Sequence, residues 1–338
     1  MTNSVDLSKA IASAVSACDS LVAIQPVSIG KNTWRNELLL FVKPEILGVE
    51  ETEQVQQSMD LVFAKLREFD VHINGVLIVG GRVLDKLDIM SRHYGFINRL
   101  SRSASKMLDD DDHKKMIEAL GIPSIGEYEI LGGHEYLAQY PDKDCFDLDK
   151  LWFSKKSIKI RSGFYTQSYE KDVRDLILVN GFHPVQLAQF TDPSHRIVLV
   201  LIHSDTDWAA LRNQMVGATF PEKAVPGSIR GTLYAQPERF GFKTVSIANN
   251  GVHLSAGPFE AMFEIVNFFG KILELDLEKQ PPLVLQRMLE VGIDVKHALG
   301  TLDNPKVTNV PKPVDLFTAT EDLDTEKAVA LWEENLLV

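Results

Sequence analysis

Two spacings of apolar residues along the chain separate predicted helices from predicted strands. Apolar positions three or four residues apart predict amphipathic helices over 5–24, 52–69, 84–100, 185–190, 206–216 and 257–273. Short apolar runs or alternating apolar and polar positions predict strands over 37–43, 71–83, 196–202 and 242–248. The order strand–helix–strand therefore occurs twice, with a long interval between the two copies. This order predicts an α+β fold of the split βαβ sandwich type, in which helices cover an antiparallel sheet.

Two of these elements have clear internal patterns. Leu7, Ile11, Val15 and Val22 lie on one stripe of the predicted first helix. The strand over 37–43 is almost entirely apolar, which is typical of a strand buried on both faces. Pro44 follows it directly and is expected to end it, because proline lacks the N–H that a sheet requires.

Residues 101–180 differ from the rest, since no regular period is visible before 170–179. The run Asp109–Asp112 suits either a divalent cation or a helix N-terminus, and we favour the helix start because aspartate is a common N-cap. The region 281–338 begins with helical spacing, loosens over 303–312 and ends in an acidic segment, 320–337. This last segment is either a helix that docks on its own domain, which we favour, or a tail that binds a partner.

Composition limits the classes of function. The chain has 338 residues, 45% of them hydrophobic and 24% charged, which is typical of a globular protein with a substantial core. The formal net charge is −12. This argues against a protein that coats nucleic acid or an anionic membrane, because both tasks require an excess of Lys and Arg. Nucleotides remain possible ligands, because a few local cations can offset the overall sign.

The cysteine content and the first residues indicate a cytoplasmic protein. Cys18 and Cys145 are the two cysteines of the chain, too few for a disulfide framework or a cysteine metal site. The N-terminal residues lack the basic and apolar regions of a secretory signal, and no apolar run is long enough to span a membrane. The segment 15–18 faintly resembles a lipidation box, but an amphipathic helix is the preferred interpretation.

The segment 218–269 contains most of the residues whose side chains can take part in a reaction. It contains 226–231 (PGSIRG), then 250–255 (NGVHLS), and Glu264 eleven residues after His253. A histidine that attacks phosphorus needs a cation for the phosphate, a partner that orients its ring and one accessible ring nitrogen. The chain contains neither of the glycine-rich phosphate loops, GxxxxGK[ST] or GxGxxG, so side chains must bind any phosphate.

Taken with Lys43-Pro44-Glu45 and His93-Tyr94, these motifs resemble those of the nucleoside diphosphate kinase family. The resemblance covers 37–100 and 181–270 and implies a ferredoxin-like domain made of these two blocks. The remaining regions are then an N-terminal helical extension, 1–36, an insertion, 101–180, and a C-terminal helical extension with an acidic tail, 271–338.

The resemblance also implies a reaction and a site. A nucleoside triphosphate gives its γ-phosphoryl group to His253, and a nucleoside diphosphate then accepts it. Glu264 corresponds to the carboxylate that holds the imidazole, and Ser255 to a hydroxyl beside that carboxylate. Nucleotide or phosphate binding falls on Lys43, Tyr94, Arg212, Thr219, Arg230 and Asn250, with Phe182 or His183 stacking on the base. Mg²⁺ accompanies the nucleotide, and a dimer or larger homo-oligomer is expected; nucleic acid and membrane are not expected partners.

The sequence departs from the family pattern at several positions. Asn213 occupies the place of a family arginine, with Arg212 one position away, while Leu254 and Ala256 replace residues that usually follow the histidine. The alternative is therefore a weak or inactive nucleotide-binding or scaffold protein on the same fold. Each residue also has an ordinary structural explanation. His253 could be a hydrogen-bonded strand end, Tyr94 a core residue, Arg230 a loop tie and Glu264 an exposed glutamate.

Overall fold

The computed structural model describes residues 4–15, 20–161, 163–171, 174–310 and 312–336. The chain divides into two compact units. The larger unit is drawn from Met1–Leu87 and Pro193–Val338, and the smaller unit from Asp88–Asp192.

Strands occur in both units. In chain order they are β1 Leu21–Gln25, β2 Asn36–Val42, β3 His72–Gly80, β4 Tyr128–Gly132, β5 Ile158–Arg161, β6 Phe164–Tyr169, β7 Asp175–Val179, β8 Arg196–Ser204, β9 Val252–Leu254, β10 Lys306–Val307 and β11 Val314–Asp315.

Most helices are short, and within the described part of the chain two helical stretches are π-helical. The α-helices are α1 Ser4–Val15, α2 Pro44–Leu47, α3 Thr52–Glu68, α4 Gly81–Lys86, α5 Ile89–His93, α6 Gly95–Met107, α7 Asp110–Leu120, α8 Gly133–Gln139, α9 Cys145–Phe153, α10 His183–Thr191, α11 Trp208–Ala210, α12 Ile229–Ala235, α13 Pro258–Ile265, α14 Lys271–Leu273, α15 Leu283–Glu290, α16 Val295–Gly300, α17 Leu316–Ala319 and α18 Thr325–Leu336. The π-helical stretches are Leu211–Val216, after α11, and Val266–Gly270, after α13.

The larger unit contains a five-stranded antiparallel sheet in the order β1-β3-β8-β2-β9. Strand β2 lies next to the edge strand β9, and Phe41 pairs directly with His253 across this pair. Directly opposed residues of neighbouring strands project from the same face of a sheet. The register therefore places the His253 side chain on the face of the sheet to which Phe41 belongs.

Every residue of β2 is buried, which confirms the strand predicted from its apolar run. Its side chains alternate between the two faces. Leu40 on one face joins a core with Met59 and Phe63 of α3, and Phe41 on the other face packs 5.8 Å from Phe268. Burial on both faces explains why this strand is continuously apolar from Leu38 to Val42 rather than alternating.

The smaller unit has its own four-stranded sheet, in the order β4-β7-β6-β5, and β4 pairs with β7 in parallel. Its strands and helices are short, and several strand positions are half-buried, so the sequence shows little periodicity here. The Asp109 side chain accepts a hydrogen bond from the backbone N–H of Asp112 at the start of α7. This geometry confirms the helix-start interpretation of the aspartate run.

Three predicted elements need correction. The predicted first helix ends as α1 at Val15, residues 16–19 with Cys18 lie outside the described residues, and Val22 lies on β1, where it pairs with Ile78. The predicted helix 84–100 is divided into α4, α5 and the start of α6. The left-handed backbone of Asp88, with φ 53°, separates α4 from α5, and the non-helical backbone of Tyr94 separates α5 from α6.

The strand predicted over 242–248 is also wrong. The Ser246 N–H donates to the carbonyl of Asn249 at 3.1 Å, so this stretch forms a turn instead. The edge of the sheet is supplied by β9, only three residues long, which carries His253. The alternating apolar residues belong to a loop, and they are apolar because Phe242 and Val245 pack against the core.

The acidic C-terminal segment packs on its own unit, which confirms the favoured interpretation. Ala328, Val329 and Trp332 of α18 share a core with Phe259 and Met262 of α13. Among the described residues, the structure contains no helix long and apolar enough to cross a membrane.

Candidate active site

His253, Glu264 and Ser255 form a hydrogen-bonded chain on the edge of the larger unit's sheet. Nε2 of His253 lies 2.6 Å from Oε1 of Glu264, and the Ser255 hydroxyl donates to the other carboxylate oxygen at 2.5 Å. Oγ of Ser255 in turn accepts the backbone N–H of Leu39 at 3.1 Å. A carboxylate only accepts, so the proton of the ring lies on Nε2 and the lone pair on Nδ1.

The local fold explains why these three side chains meet. Side chains two positions apart on an extended chain project from the same face, so His253 on β9 and Ser255 just after it lie on one face. Helix α13 packs over that face and carries Glu264. Phe41 stacks on the imidazole with 4.5 Å between the ring centres and 17° between their planes. Glu264 is fully buried, so it is not the exposed glutamate of the alternative interpretation.

The surroundings keep His253 neutral. Burial, together with the positive charges of Lys43, Arg230 and Arg212, lowers the pKa of His253 to about 3, although the negative charge of Glu260 acts in the opposite direction. At neutral pH the ring therefore retains a lone pair, which a nucleophile requires.

Glu260 is a residue of this site that the sequence analysis missed. It lies one helical turn before Glu264 on α13, and its Oε2 accepts the backbone N–H of Ala256 at 2.6 Å. Burial, and then the neighbouring charge of Glu264, raise the pKa of Glu260 to about 7. Its position four residues before Glu264 could have indicated its place in the site, because residues with this spacing share a helix face.

Lys43 lies at the end of β2, beside the loop that leads to β9. Its Nζ donates to Oδ1 of Asn250 at 2.7 Å, and its backbone N–H donates to the carbonyl of Gly251 at 2.9 Å. Glu45 accepts the N–H of Gly251 at 3.0 Å. The positive φ of Gly251, 80°, suits glycine and brings this backbone close to β2. Burial lowers the pKa of Lys43 and raises that of Glu45.

Arg230 braces the strand that carries the histidine. On α12, its guanidinium donates to the carbonyls of Gly217 and Val252, each at 2.9 Å. Its Nε has no hydrogen-bond partner within the described residues. Burial, and then the charge of Arg212, lower the pKa of Arg230 to about 10, so it remains cationic at neutral pH. The alternative interpretation as a loop tie is therefore correct in part, with carbonyls in place of a carboxylate.

The π-helical stretch after α11 bears on the choice between Arg212 and Asn213. The backbone N–H of Gly217 donates to the carbonyl of Arg212, five residues earlier, rather than to that of Asn213. A π-turn contains one residue more than an α-turn. The side chains before it are therefore offset by one position relative to those after it, which is the offset between Arg212 and Asn213. Asn213 is exposed and bonds back to Ala209, whereas the charge of Arg212 acts on His253.

The remaining predicted residues are divided between the two units. Thr219 belongs to the larger unit, and Tyr94 and Phe182 belong to the smaller unit. Thr219 is exposed, and its carbonyl accepts from Asn250 at 3.3 Å. The ring of Tyr94 meets that of His183 edge-on at 5.9 Å. Phe182 packs against Trp152 and Tyr165.

Comparisons with known proteins place this chain at a distance from characterised families. No family model matches the chain, and no curated protein does. Among solved structures, an apo nucleoside diphosphate kinase from Encephalitozoon cuniculi is similar at 12% identity and a TM-score of 0.34, over 69% of this chain and 88% of that one.

Two further solved structures are similar to the same degree. An NDP kinase from Pyrobaculum aerophilum has 18% identity and a TM-score of 0.34, over 72% of this chain and 97% of that one. A transition-state mimic of nucleoside-diphosphate kinase from Borrelia burgdorferi, with bound vanadate and ADP, has 15% identity and a TM-score of 0.32, over 69% and 86%. Scores this low assign neither a family nor an activity to this chain.

Proposed function

We propose that this protein is a nucleoside diphosphate kinase-like phosphotransferase that forms a phosphohistidine at Nδ1 of His253. The observation that carries the proposal is the chain Ser255–Glu264–His253, which fixes the proton of the imidazole on Nε2. A neutral ring held in one tautomer, with three cationic side chains acting on it, meets the needs of a nucleophile toward phosphorus.

The transfer has two steps. In the first, the Nδ1 lone pair of His253 forms an N–P bond to the γ-phosphorus while the bond from that phosphorus to the bridging oxygen breaks, which releases a nucleoside diphosphate. In the second, a terminal phosphate oxygen of another nucleoside diphosphate forms the new P–O bond, and the N–P bond breaks. The Nε2 proton stays between His253 and Glu264, whose negative charge stabilises the positive charge that develops on the ring.

The substrate of this proposal is the magnesium complex of the nucleotide. Both oxygens of Glu264 already accept hydrogen bonds, and Glu45 and Glu260 each accept a backbone N–H. We propose that the phosphates supply the ligands for the metal, while these carboxylates serve hydrogen bonds within the protein. Lys43 and Arg230 then contribute positive charge near the transferring group.

The strand order supports the proposed ferredoxin-like fold. Among β2, β3, β8 and β9, the first and third strands in chain order lie at the centre of the sheet, and a helix follows each of them. Two interleaved βαβ units produce this arrangement. A cytoplasmic location and a homo-oligomeric state remain predictions from the sequence.

A specific observation favours a second candidate, a weak or inactive nucleotide-binding protein. Several donors of the site already have protein acceptors, since Lys43 bonds to Asn250 and Arg230 bonds to two carbonyls. A phosphate must replace these contacts or bind beside them, which reduces the gain from each cation.

The two candidates differ in one measurement. After incubation with MgATP labelled in the γ-phosphate, the kinase-like enzyme should carry an acid-labile, alkali-stable label on His253. Unlabelled GDP should remove this label as labelled GTP. Stabilisation of the protein against heat by MgADP, without any label, would support the second candidate. No label and no stabilisation would remove both.

A further inference from the structure

Arg212 is held by two carboxylates from the C-terminal segment of the chain. Its guanidinium lies 2.9 Å from Oε1 of Glu321 and 2.7 Å from Oδ1 of Asp322. Two acidic side chains thus meet the same guanidinium through separate N–H groups. Carboxylate and phosphate oxygens present the same kind of acceptor to arginine, so each can take the place of the other.

The backbone of this segment is fixed close to the histidine. The N–H of Asp322 donates to the carbonyl of Ala256 at 3.0 Å, and the carbonyl of Thr320 lies against Gly257. A Cβ added at Gly257 would lie 2.4 Å from that carbonyl oxygen, so glycine is required for this approach. The acidic pair is therefore held beside residues that directly follow β9.

The segment is also anchored on its far side. Asp324 is buried, and its carboxylate accepts from the side chain of Asn36 at 2.8 Å and from the backbone N–H of Trp208 at 3.0 Å. In contrast, the side chains of Glu321 and Asp322 are 47% and 40% exposed. Their carboxylates can rotate away from Arg212 into water while the backbone stays in place.

We propose that Glu321 and Asp322 form an autoinhibitory clasp, which occupies Arg212 and competes with the phosphate groups of a nucleotide for its guanidinium. This inference rests on the proposed function and adds a regulatory contact to the same site. Arg212 lies on the π-helical stretch after α11, and the clasp offsets its charge until an anionic ligand displaces the two carboxylates. The contact is partly exposed, so its effect on nucleotide affinity is modest.

The test compares MgADP binding by calorimetry among the full-length wild type, the double variant Glu321→Gln/Asp322→Asn, and a matched control, Glu333→Gln/Glu334→Gln. The control removes the same charge from α18 but leaves the clasp unchanged. Asparagine suits position 322, where φ is 62°. The clasp variant should bind MgADP roughly three- to tenfold more tightly than the control.

A further pair of proteins separates competition at Arg212 from a general change in charge. With Arg212→Ala as the background, neutralisation of Glu321 and Asp322 should leave the Kd unchanged, because the shared partner is gone. Thermal unfolding of every variant checks that each is folded. Equal affinities of the clasp variant and the control would overturn this inference alone. Absence of MgADP binding in every folded protein would instead remove the proposed function, and with it the ligand for which the clasp competes.

Discussion

Two histidines of the same sheet, His253 on β9 and His203 on β8, each pair with a glutamate, and the surroundings of the two pairs differ. Nε2 of His253 is 2.6 Å from Glu264, and Nε2 of His203 is 2.8 Å from Glu37. In each pair the second carboxylate oxygen accepts another donor, from Ser255 in the first and from the backbone N–H of Leu283 in the second. By hydrogen bonding alone, the two pairs are nearly equivalent.

Exposure and neighbouring charge separate them. The His253 side chain is 21% exposed and that of His203 is 4% exposed. Lys43, Arg230 and Arg212 act on His253, whereas the ring of Trp34 stacks on His203 with 6.1 Å between the centres. The first pair is partly exposed and has cations around it, while the second pair is enclosed by protein.

The comparison shows that a histidine–glutamate pair is not by itself evidence of catalysis. The buried pair satisfies polar groups where β2 and β8 lie side by side and fixes the start of α15. What distinguishes the pair at His253, and supports the role proposed for it, is its partial exposure and the positive charge around it.

The largest expected effect comes from removal of each histidine. His253→Ala should lose phosphoenzyme formation by at least about 10³-fold, because no nucleophile remains. His203→Ala should retain its label per folded molecule and lose about 1–3 kcal/mol of unfolding free energy, since Glu37 loses its buried partner. Labelling with γ-labelled MgATP and urea unfolding of both variants measure the two effects. Equal labelling of the two folded variants would refute the assignment of the nucleophile.

A smaller effect is expected from the two carboxylates. Glu264→Gln should lower the labelling rate by on the order of 10²-fold, because an amide N–H directed at Nε2 favours the tautomer with its proton on Nδ1. Glu37→Gln serves as the matched control and should change stability but not the labelling rate. Single-turnover kinetics and NMR of the imidazole nitrogens distinguish a tautomer change from partial unfolding. An unchanged nitrogen spectrum in a slow Glu264→Gln variant would contradict the orienting role.

The sequence predicted the parts of the fold that local pattern controls. Strand β2 and helix α3 were predicted nearly to the residue, because continuous burial and helical periodicity leave direct traces in the chain. The contacts among His253, Ser255 and Glu264 were expected from the family resemblance of one short segment. These features depend on residues close together in sequence.

Features that depend on distant residues were not predictable in the same way. Strand β9 has three residues, and it is a strand because β2 offers a partner. The π-turn before Gly217 and the contact of Arg212 with Glu321 join residues whose spacing follows no local pattern. The pair His203–Glu37 was missed for the same reason, since 166 positions separate its members.

The smallest expected effect concerns Glu260, a carboxylate that acts on His253. Its pKa of about 7, against an ordinary value of 4.5, means that the folded protein binds the proton more tightly than the unfolded chain. Its contribution to stability is therefore full below pH 4.5 and is lost as the pH rises through 7. Glu260→Gln cannot ionise and keeps an acceptor for the N–H of Ala256.

The free energies of unfolding of Glu260→Gln and the wild type should therefore be similar near pH 4.5. At pH 8 the variant should be more stable by roughly 1–3 kcal/mol. His253 contributes an opposite slope to both proteins, because its lowered pKa means that stability is lost as the pH falls from 6.5 toward 3. Because Glu260→Gln also removes the charge that raises the pKa of His253, the difference between the two urea-unfolding curves is read above pH 6.5, where His253 is largely uncharged in both states. A difference that stays constant from pH 6.5 to 8 would show that Glu260 does not titrate in this range.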